Sequence, residues 1–192
     1  EEVWASTFHS SCVKILRRDI DKIGYARSFV IFDTADQQTV IKECLKELNL
    51  DPKQYAPKAV AAEISRAKDE LISADDYAGV FRGDFFKAVV SKIYKLYSQK
   101  MKSYNALDFD DLILCTVRLF EENPDVLDYY RNKFRYILVD EYQDTNHAQY
   151  RLVSLLAGKY RNLCVVGDDD QSIYKFRGAD ISNILGFEDE FE

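Results

Sequence analysis

Two short apolar runs without alternation stand out late in the chain: Ile137-Leu138-Val139, and Leu163-Cys164-Val165-Val166. A helix-length amphipathic stretch separates them. Uninterrupted apolar runs flanking a helix predict a βαβ unit of a parallel sheet covered on both faces. Each run ends in acids. The first enters Asp140-Glu141-Tyr142-Gln143-Asp144-Thr145-Asn146, and the second Gly167-Asp168-Asp169-Asp170-Gln171. In open parallel sheets, ligands sit beyond the carboxyl ends of the strands, so the two acidic runs mark the candidate site.

Upstream the period changes to three and four. Phe8, Cys12, Ile15, Leu16 and Ile23 form an inward stripe, with Ser6 or Thr7 as N-cap and Gly24 as the stop. Val3-Trp4-Ala5 reads as the tail of a strand and Ser28 to Phe32 as a short strand. Thr34-Ala35-Asp36-Gln37 reads as a capping box opening a helix through about Leu48. Pro57 suits the first turn of a helix reaching about Leu71. The longest helix spans roughly Asp84 to Tyr104. Its predicted stripe is Phe85, Val89, Ile93, Leu96 and Tyr97, while Lys87, Lys92, Lys95, Lys100 and Lys102 lie elsewhere. Those lysines suit a solvated polar face or a nucleic-acid face. Leu107 to Leu112 starts another helix with acids in its first turn, and Pro124 opens one more to about Lys133. Residues 7–132 thus read as almost wholly helical, with the sheet beginning at Phe134.

Composition narrows the class. The 192 residues are 47% hydrophobic and 14% aromatic, enough for a substantial core. No apolar run reaches the roughly 18 residues of a membrane span. The start, Glu1-Glu2-Val3-Trp4, is neither a signal peptide nor a methionine start, so the chain reads as a piece of something longer. Cys12, Cys44, Cys115 and Cys164 are far apart in apolar contexts. That predicts core thiols in a reducing cytoplasmic compartment, without a zinc site or disulfide framework. The formal charge of -7 is unevenly spread: residues 1–105 hold 17 Lys and Arg against 15 Asp and Glu, and residues 106–192 hold 9 against 18. An acidic second half suits a metal–nucleotide site, so any nucleic-acid contact must be local.

The acidic runs carry the chemistry. An aspartate at a strand tip can hold Mg²⁺, and a neighbouring glutamate can orient or deprotonate a water attacking a γ-phosphate. Taken alone, Asp140-Glu141 reads more readily as an ordinary polar strand end, because loops are polar. The second run strengthens the reading, because Gln171 can sense a phosphate oxygen or the attacking water. Just beyond it, Tyr174, Phe176 and Arg177 can stack bases and pin phosphates of a single strand, although both aromatics also suit core packing.

DEYQDTN followed by VVGDDDQSIYKFRGAD resembles motifs II and III of the UvrD/Rep/PcrA group of superfamily 1 DNA helicases. STFHSSCVKILRRDI and LDFDDLI resemble that group's intervening motifs. The resemblance implies an α/β fold, a partial RecA-like parallel sheet with a mainly helical inserted subdomain. Residues 1–24 and 105–192 would belong to the first motor domain, and residues 25–104 to the insertion. It further implies Mg²⁺ and ATP as cofactors, with Asp140 as the Mg²⁺-linked acid, Glu141 as catalytic base and metal neighbour, and Gln171 as γ-phosphate sensor. Thr7, His9, Tyr174, Phe176 and Arg177 would contact single-stranded DNA. Phe176 stands where relatives often have Trp, and Asp169 where they often have a small residue. The expected parent is an ATP-dependent 3′-to-5′ DNA helicase or translocase of DNA repair or replication, with single strands, strand–duplex junctions and the rest of the helicase chain as partners. Because no G-x-x-x-x-G-K-[ST] loop occurs in these residues, they are expected not to hydrolyse ATP alone. Alternatives are the helicase subunit of a recombination nuclease complex, a protein-stripping translocase, or a non-catalytic DNA- or protein-binding module.

Overall fold

A computed structural model describes residues 3–80 and 83–168. Helix α1 (Phe8–Asp19) starts where the Thr7 hydroxyl accepts the Ser10 amide, continues as a 3-10 turn (Ile20–Ile23), and stops at Gly24, whose φ of 82° is left-handed. Strand β1 (Val30–Ile31) leads into α2 (Thr34–Glu47), α3 (Pro57–Asp69), the short α4 (Tyr77–Val80) and α5 (Phe85–Ser103). Strand β2 (Ala106–Leu107) then precedes α6 (Phe109–Glu122) and α7 (Pro124–Lys133). The chain ends its described part with β3 (Ile137–Val139), α8 (His147–Ala157) and β4 (Leu163–Val165). The fold class is α/β, mainly helical with short parallel strands.

Two parallel strand pairs organise these elements. β3 pairs with β4, Leu138 opposite Cys164, as the apolar runs predict. β1 pairs with β2, Val30 opposite Ala106, which the sequence pattern does not disclose. That second pair brings residues 30 and 106 side by side, and the Asn105 side chain bonds both the N–H and the C=O of Ala26. The block between them therefore leaves and rejoins the rest of the chain at one place.

Two main cores follow from this. One gathers Cys12, Ile15 and Leu16 of α1 and Ile20 of the 3-10 turn with Leu112, Leu119 and Phe120 of α6, Tyr130 of α7 and Leu152 of α8. The other gathers Val40, Ile41 and Leu45 of α2 with Val60 and Ile64 of α3 and Val90, Ile93, Tyr94 and Tyr97 of α5. A small third cluster of Val139, Tyr142 and Val153 lies under β3 and β4, with Phe8 packed against both it and the first core.

Several expectations are corrected. Val3 to Ala5 is not a strand; the Trp4 ring packs edge-on to Phe134 between the ammonium groups of Lys14 and Lys133. The capping box of α2 is Asp33 with Asp36, because the aspartate one residue earlier offers a carboxylate to two backbone N–H groups. On α5 the buried stripe is Val90, Ile93, Tyr94, Tyr97 and Met101, while Phe85 is 76% exposed, so the inward face is rotated by one residue at its start. Among the described residues, the β3–β4 sheet is covered on one face. Ile137, Val139, Leu163 and Val165 point to the cluster below, and the period of two leaves Leu138 71% exposed. The same alternation exposes Cys164, unlike the buried Cys12, Cys44 and Cys115.

Candidate functional site

The tip of β3 is shaped by hydrogen bonds to the tip of β4. Val166 donates its N–H to Val139 O at 2.8 Å, and Tyr142 donates to Val166 O at 2.9 Å. The two exposed acids Asp140 and Glu141 are the residues left between those bonds. Glu141 takes φ 50°, a left-handed conformation that a side chain with a Cβ rarely adopts. Its amide is accepted by Asp140 Oδ1 at 3.0 Å. A 3-10 turn (Tyr142–Asp144) follows, with the Tyr142 ring fully buried beneath it.

Gln143 is the residue that sequence reading missed. Only 1% exposed, it donates from Nε2 to Glu141 Oε2 at 2.7 Å and accepts the Asp168 N–H on Oε1 at 3.0 Å. One buried amide thus holds the Glu141 carboxylate and the loop after β4 together. The available signal was its place two residues beyond an acid, within reach of that carboxylate. Gln171, predicted as phosphate sensor, lies outside the described residues, as do Tyr174, Phe176 and Arg177.

Between Thr7 and His9, Phe8 packs the start of α1 against the β3–β4 cluster. Thr7 is exposed, but its hydroxyl is engaged at the helix cap, accepting Ser10 N–H and donating to Ser10 Oγ. His9 is half-buried and stands edge-on to the exposed Phe109 ring, centroids 6.2 Å apart. Burial lowers the His9 pKa and the charge of Asp110 opposes this, the net direction favouring the neutral imidazole. In that form it can offer a hydrogen bond or a ring face. Phe109 was not predicted as a site residue; an aromatic flanked by Asp108 and Asp110 reads as a helix start, yet its ring is half exposed beside His9. A cleft of about 200 Å³ opens beside it, lined by Phe32, Gln37 and Ser65 and by the acids Asp33, Asp108 and Asp110. A lining rich in acids disfavours a phosphate there. A larger hollow touches Tyr136, Leu138 and Asn162, at the opposite ends of β3 and β4 from the acids, and has no part in the site.

Below Phe109 lies a buried charge cluster. Lys68, 2% exposed, places Nζ 2.6 Å from Asp108 Oδ2 and 2.7 Å from Asp111 Oδ1. Tyr97 donates its hydroxyl to Asp108 at 2.7 Å. Burial alone would raise the Asp108 pKa, but Lys68 and these hydrogen bonds hold it below the usual range. For Asp111, burial and the Asp108 charge dominate and push it up to about 7. The arrangement is one ammonium, one carboxylate and one carboxyl that ionises only near neutrality. Asp69, next along α3, is raised to about 7 by burial and by Asp110 and Glu70.

The α5 lysines make no unengaged basic stripe. Lys87 pairs with Glu63, Lys95 with Asp75 and Lys100 with Glu47, while Lys102 lies over the Tyr25 ring. Among the described residues, no three His, Cys, Asp or Glu side chains gather as a metal site. Two adjacent carboxylates do suit Mg²⁺, which keeps most of its waters and takes one or two acids beside substrate phosphates. No described helix is long and apolar enough to cross a membrane.

Comparison with known proteins places the chain in a family. The ATP-dependent DNA helicase PcrA of Bacillus subtilis is 56% identical over 191 residues, covering 100% of this chain and 26% of that protein. The PcrA helicases of Staphylococcus epidermidis and Staphylococcus aureus are 55% and 54% identical, each again covered over 26% of its length. The chain therefore spans about a quarter of these relatives. The family model for the UvrD/REP helicase N-terminal domain matches residues 1–192, the whole chain, which therefore belongs to that family.

Proposed function

We propose that this chain is the nucleotide-facing and strand-facing part of an ATP-driven 3′-to-5′ DNA helicase, acting in DNA repair or replication on single strands and strand–duplex junctions. Relatives described as ATP-dependent DNA helicases support the class. The observation that carries the site is the clip at the strand tips: Gln143 joins the Glu141 carboxylate to the Asp168 backbone, so acid and second loop are one unit. The two separate cores, meeting where β1 pairs with β2, support reading residues 25–104 as a helical insertion and residues 1–24 and 105–192 as motor domain.

Mg-ATP, when bound, supplies a polarised γ-phosphate whose hydrolysis is the energy source. Asp140, exposed at the strand tip, would hold the metal, with Glu141 beside it as its second carboxylate. Glu141 would also accept the proton of the attacking water, its carboxylate fixed by Gln143 rather than free to rotate. Gln171 is assigned the phosphate sensor on its motif position. Thr7, His9 and the newly seen Phe109 would meet the single strand, with Tyr174, Phe176 and Arg177 as further contacts assigned from sequence. Phe109 and His9 in its neutral form are suited to base contact, since both then offer aromatic faces without charge.

These residues alone contain no phosphate loop and are proposed to be inactive without the remainder of the protein. The test is Glu141→Gln in the full-length protein. ATP turnover should fall at least about 100-fold while nucleotide binding is retained, the usual range for losing a general base. Turnover that survives the change would remove Glu141 from the mechanism.

A further inference from the structure

The last two residues of α3 are bound to two different sites. Lys68 is ion-paired with Asp108, the N-cap of α6, and with Asp111 in its first turn. The residues between them, Phe109 and Asp110, face His9. Asp69 accepts the Asn146 side-chain N–H at 2.7 Å. Asn146 caps α8, which begins directly after the turn that carries Gln143, and its Oδ1 accepts the Gln149 amide. One peptide link therefore separates an ion pair on the strand-facing helix from a hydrogen bond on the nucleotide-facing helix.

The joint is stiff. Leu71 takes φ 57° and closes α3, with its N–H on Lys68 O and the Ile72 N–H on Ala67 O. Losing both contacts would leave the buried Lys68 charge unpaired, which disfavours arrangements in which they are broken. We propose that Lys68 and Asp69 are positioning residues that couple the two sites: they register the start of α6 against the start of α8, so that a change at the acid tip alters the Phe109–His9 face. This rests on the proposed function for the identity of the two ligands.

Asn146→Asp tests it in the full-length protein. The change keeps an oxygen for the Gln149 amide but turns the group facing Asp69 from donor to acceptor. The readout is the ratio of affinities for a fluorescent oligothymidine with and without Mg²⁺ and a non-hydrolysable ATP analogue, by anisotropy. Asn146→Asp should move that ratio toward one by about threefold or more, within the usual range of coupling between sites. The swap Asp69→Asn with Asn146→Asp restores a donor–acceptor pair and should recover the ratio. Asp69→Ala, on a partly buried residue whose loss leaves the Lys68 pairs in place, should move it toward one as well. A ratio unchanged in these variants, with only the melting temperature reduced, overturns the coupling and leaves a structural contact.

If the natural protein shows no nucleotide effect on strand affinity, the helicase reading fails instead. The joint is then judged by hydrogen exchange alone. Asn146→Asp must deprotect the Asp111 amide, held by Asp108 Oδ1 across Lys68, and unchanged protection there overturns it.

Discussion

Replacing Lys68 by methionine removes one charge from the middle of the molecule and leaves nearly all of the apolar stem. Lys68 lies 2.6 and 2.7 Å from two carboxyl oxygens and is 2% exposed. Each contact, treated with an effective dielectric of about 20, is worth roughly 6 kcal/mol of attraction, most of it cancelled by desolvation. Removing one partner of a buried pair costs about 3–5 kcal/mol, because the remaining charge keeps its desolvation penalty. The sign with pH follows from the acids. Asp111 has a folded pKa of about 7, above its unfolded value, so its contribution is full at low pH and is lost as pH rises to neutrality. Without the ammonium, Asp108 loses the cation that holds its pKa down and joins Asp111 in preferring the protonated form. The variant should therefore lose about 3–5 kcal/mol at pH 8 and about half of that or less at pH 5. Urea unfolding of both proteins at the two pH values, followed by far-UV circular dichroism, measures this. A loss under about 1 kcal/mol at pH 8, or an equal loss at both pH values, would refute the account of a buried charge cluster.

Two shorter predictions concern the strand tips. Gln143→Leu has a similar volume but removes the hydrogen bonds to the Glu141 carboxylate and from the Asp168 N–H; in the full-length protein kcat for ATP should fall about 10- to 100-fold with KM little changed, as expected when a catalytic group is misplaced while substrate binding is intact. Steady-state kinetics checks this, and a rise in KM at constant kcat would make Gln143 a plain binding residue. Glu141→Gly should be more stable than Glu141→Ala by about 1 kcal/mol, because glycine tolerates the left-handed backbone at φ 50° and alanine does not. Equal urea midpoints would show that the backbone relaxes once the carboxylate is gone.

The βαβ unit could be read from the chain because its signal is local: two apolar runs, a helix between them and acids at both ends. The β1–β2 pair could not. Val30 and Ala106 are 76 positions apart, and each strand has only two residues, too few for a period to show. The capping box of α2 slipped by one because Thr34 and Asp33 are both good N-caps, and the carboxylate accepts two N–H groups where the hydroxyl would take one. On α5 the pattern of apolar residues is nearly continuous, Phe85, Phe86, Val89, Val90, so composition does not choose a face; packing against α2 and α3 does. Asp140 and Glu141 could be read as a candidate site only because a second acidic run ends the neighbouring strand, since a lone pair of acids at a strand tip is an ordinary polar strand end. Gln143 and Lys68 could not, since the importance of a buried polar side chain lies in partners 25 and 40 residues away.

The backbone at Glu141 argues against reading the acidic tip as an ordinary polar turn. Among the described residues, five non-glycine positions have positive φ. Asn49, Leu71 and Asn105 directly follow helix C-caps, and Arg161 lies in the turn after α8, places where left-handed residues satisfy the last carbonyls. Glu141 alone of the five follows a strand. It gains no helix end there, and the conformation costs roughly 1–2 kcal/mol relative to a right-handed one. A glycine or asparagine would turn the chain at lower cost. What holds the glutamate in place is its neighbours: Tyr142 and Val166 bonded across the strand tips, the buried Tyr142 ring, and Gln143 on the carboxylate itself. Strain that surrounding bonds over-determine, at an exposed carboxylate with a buried clip, is the pattern of a group pre-organised for a ligand. A free glutamate would have to give up its rotamer freedom each time a substrate bound. Here that ordering belongs to folding, and the Gln143 bonds tie the acid to the loop after β4.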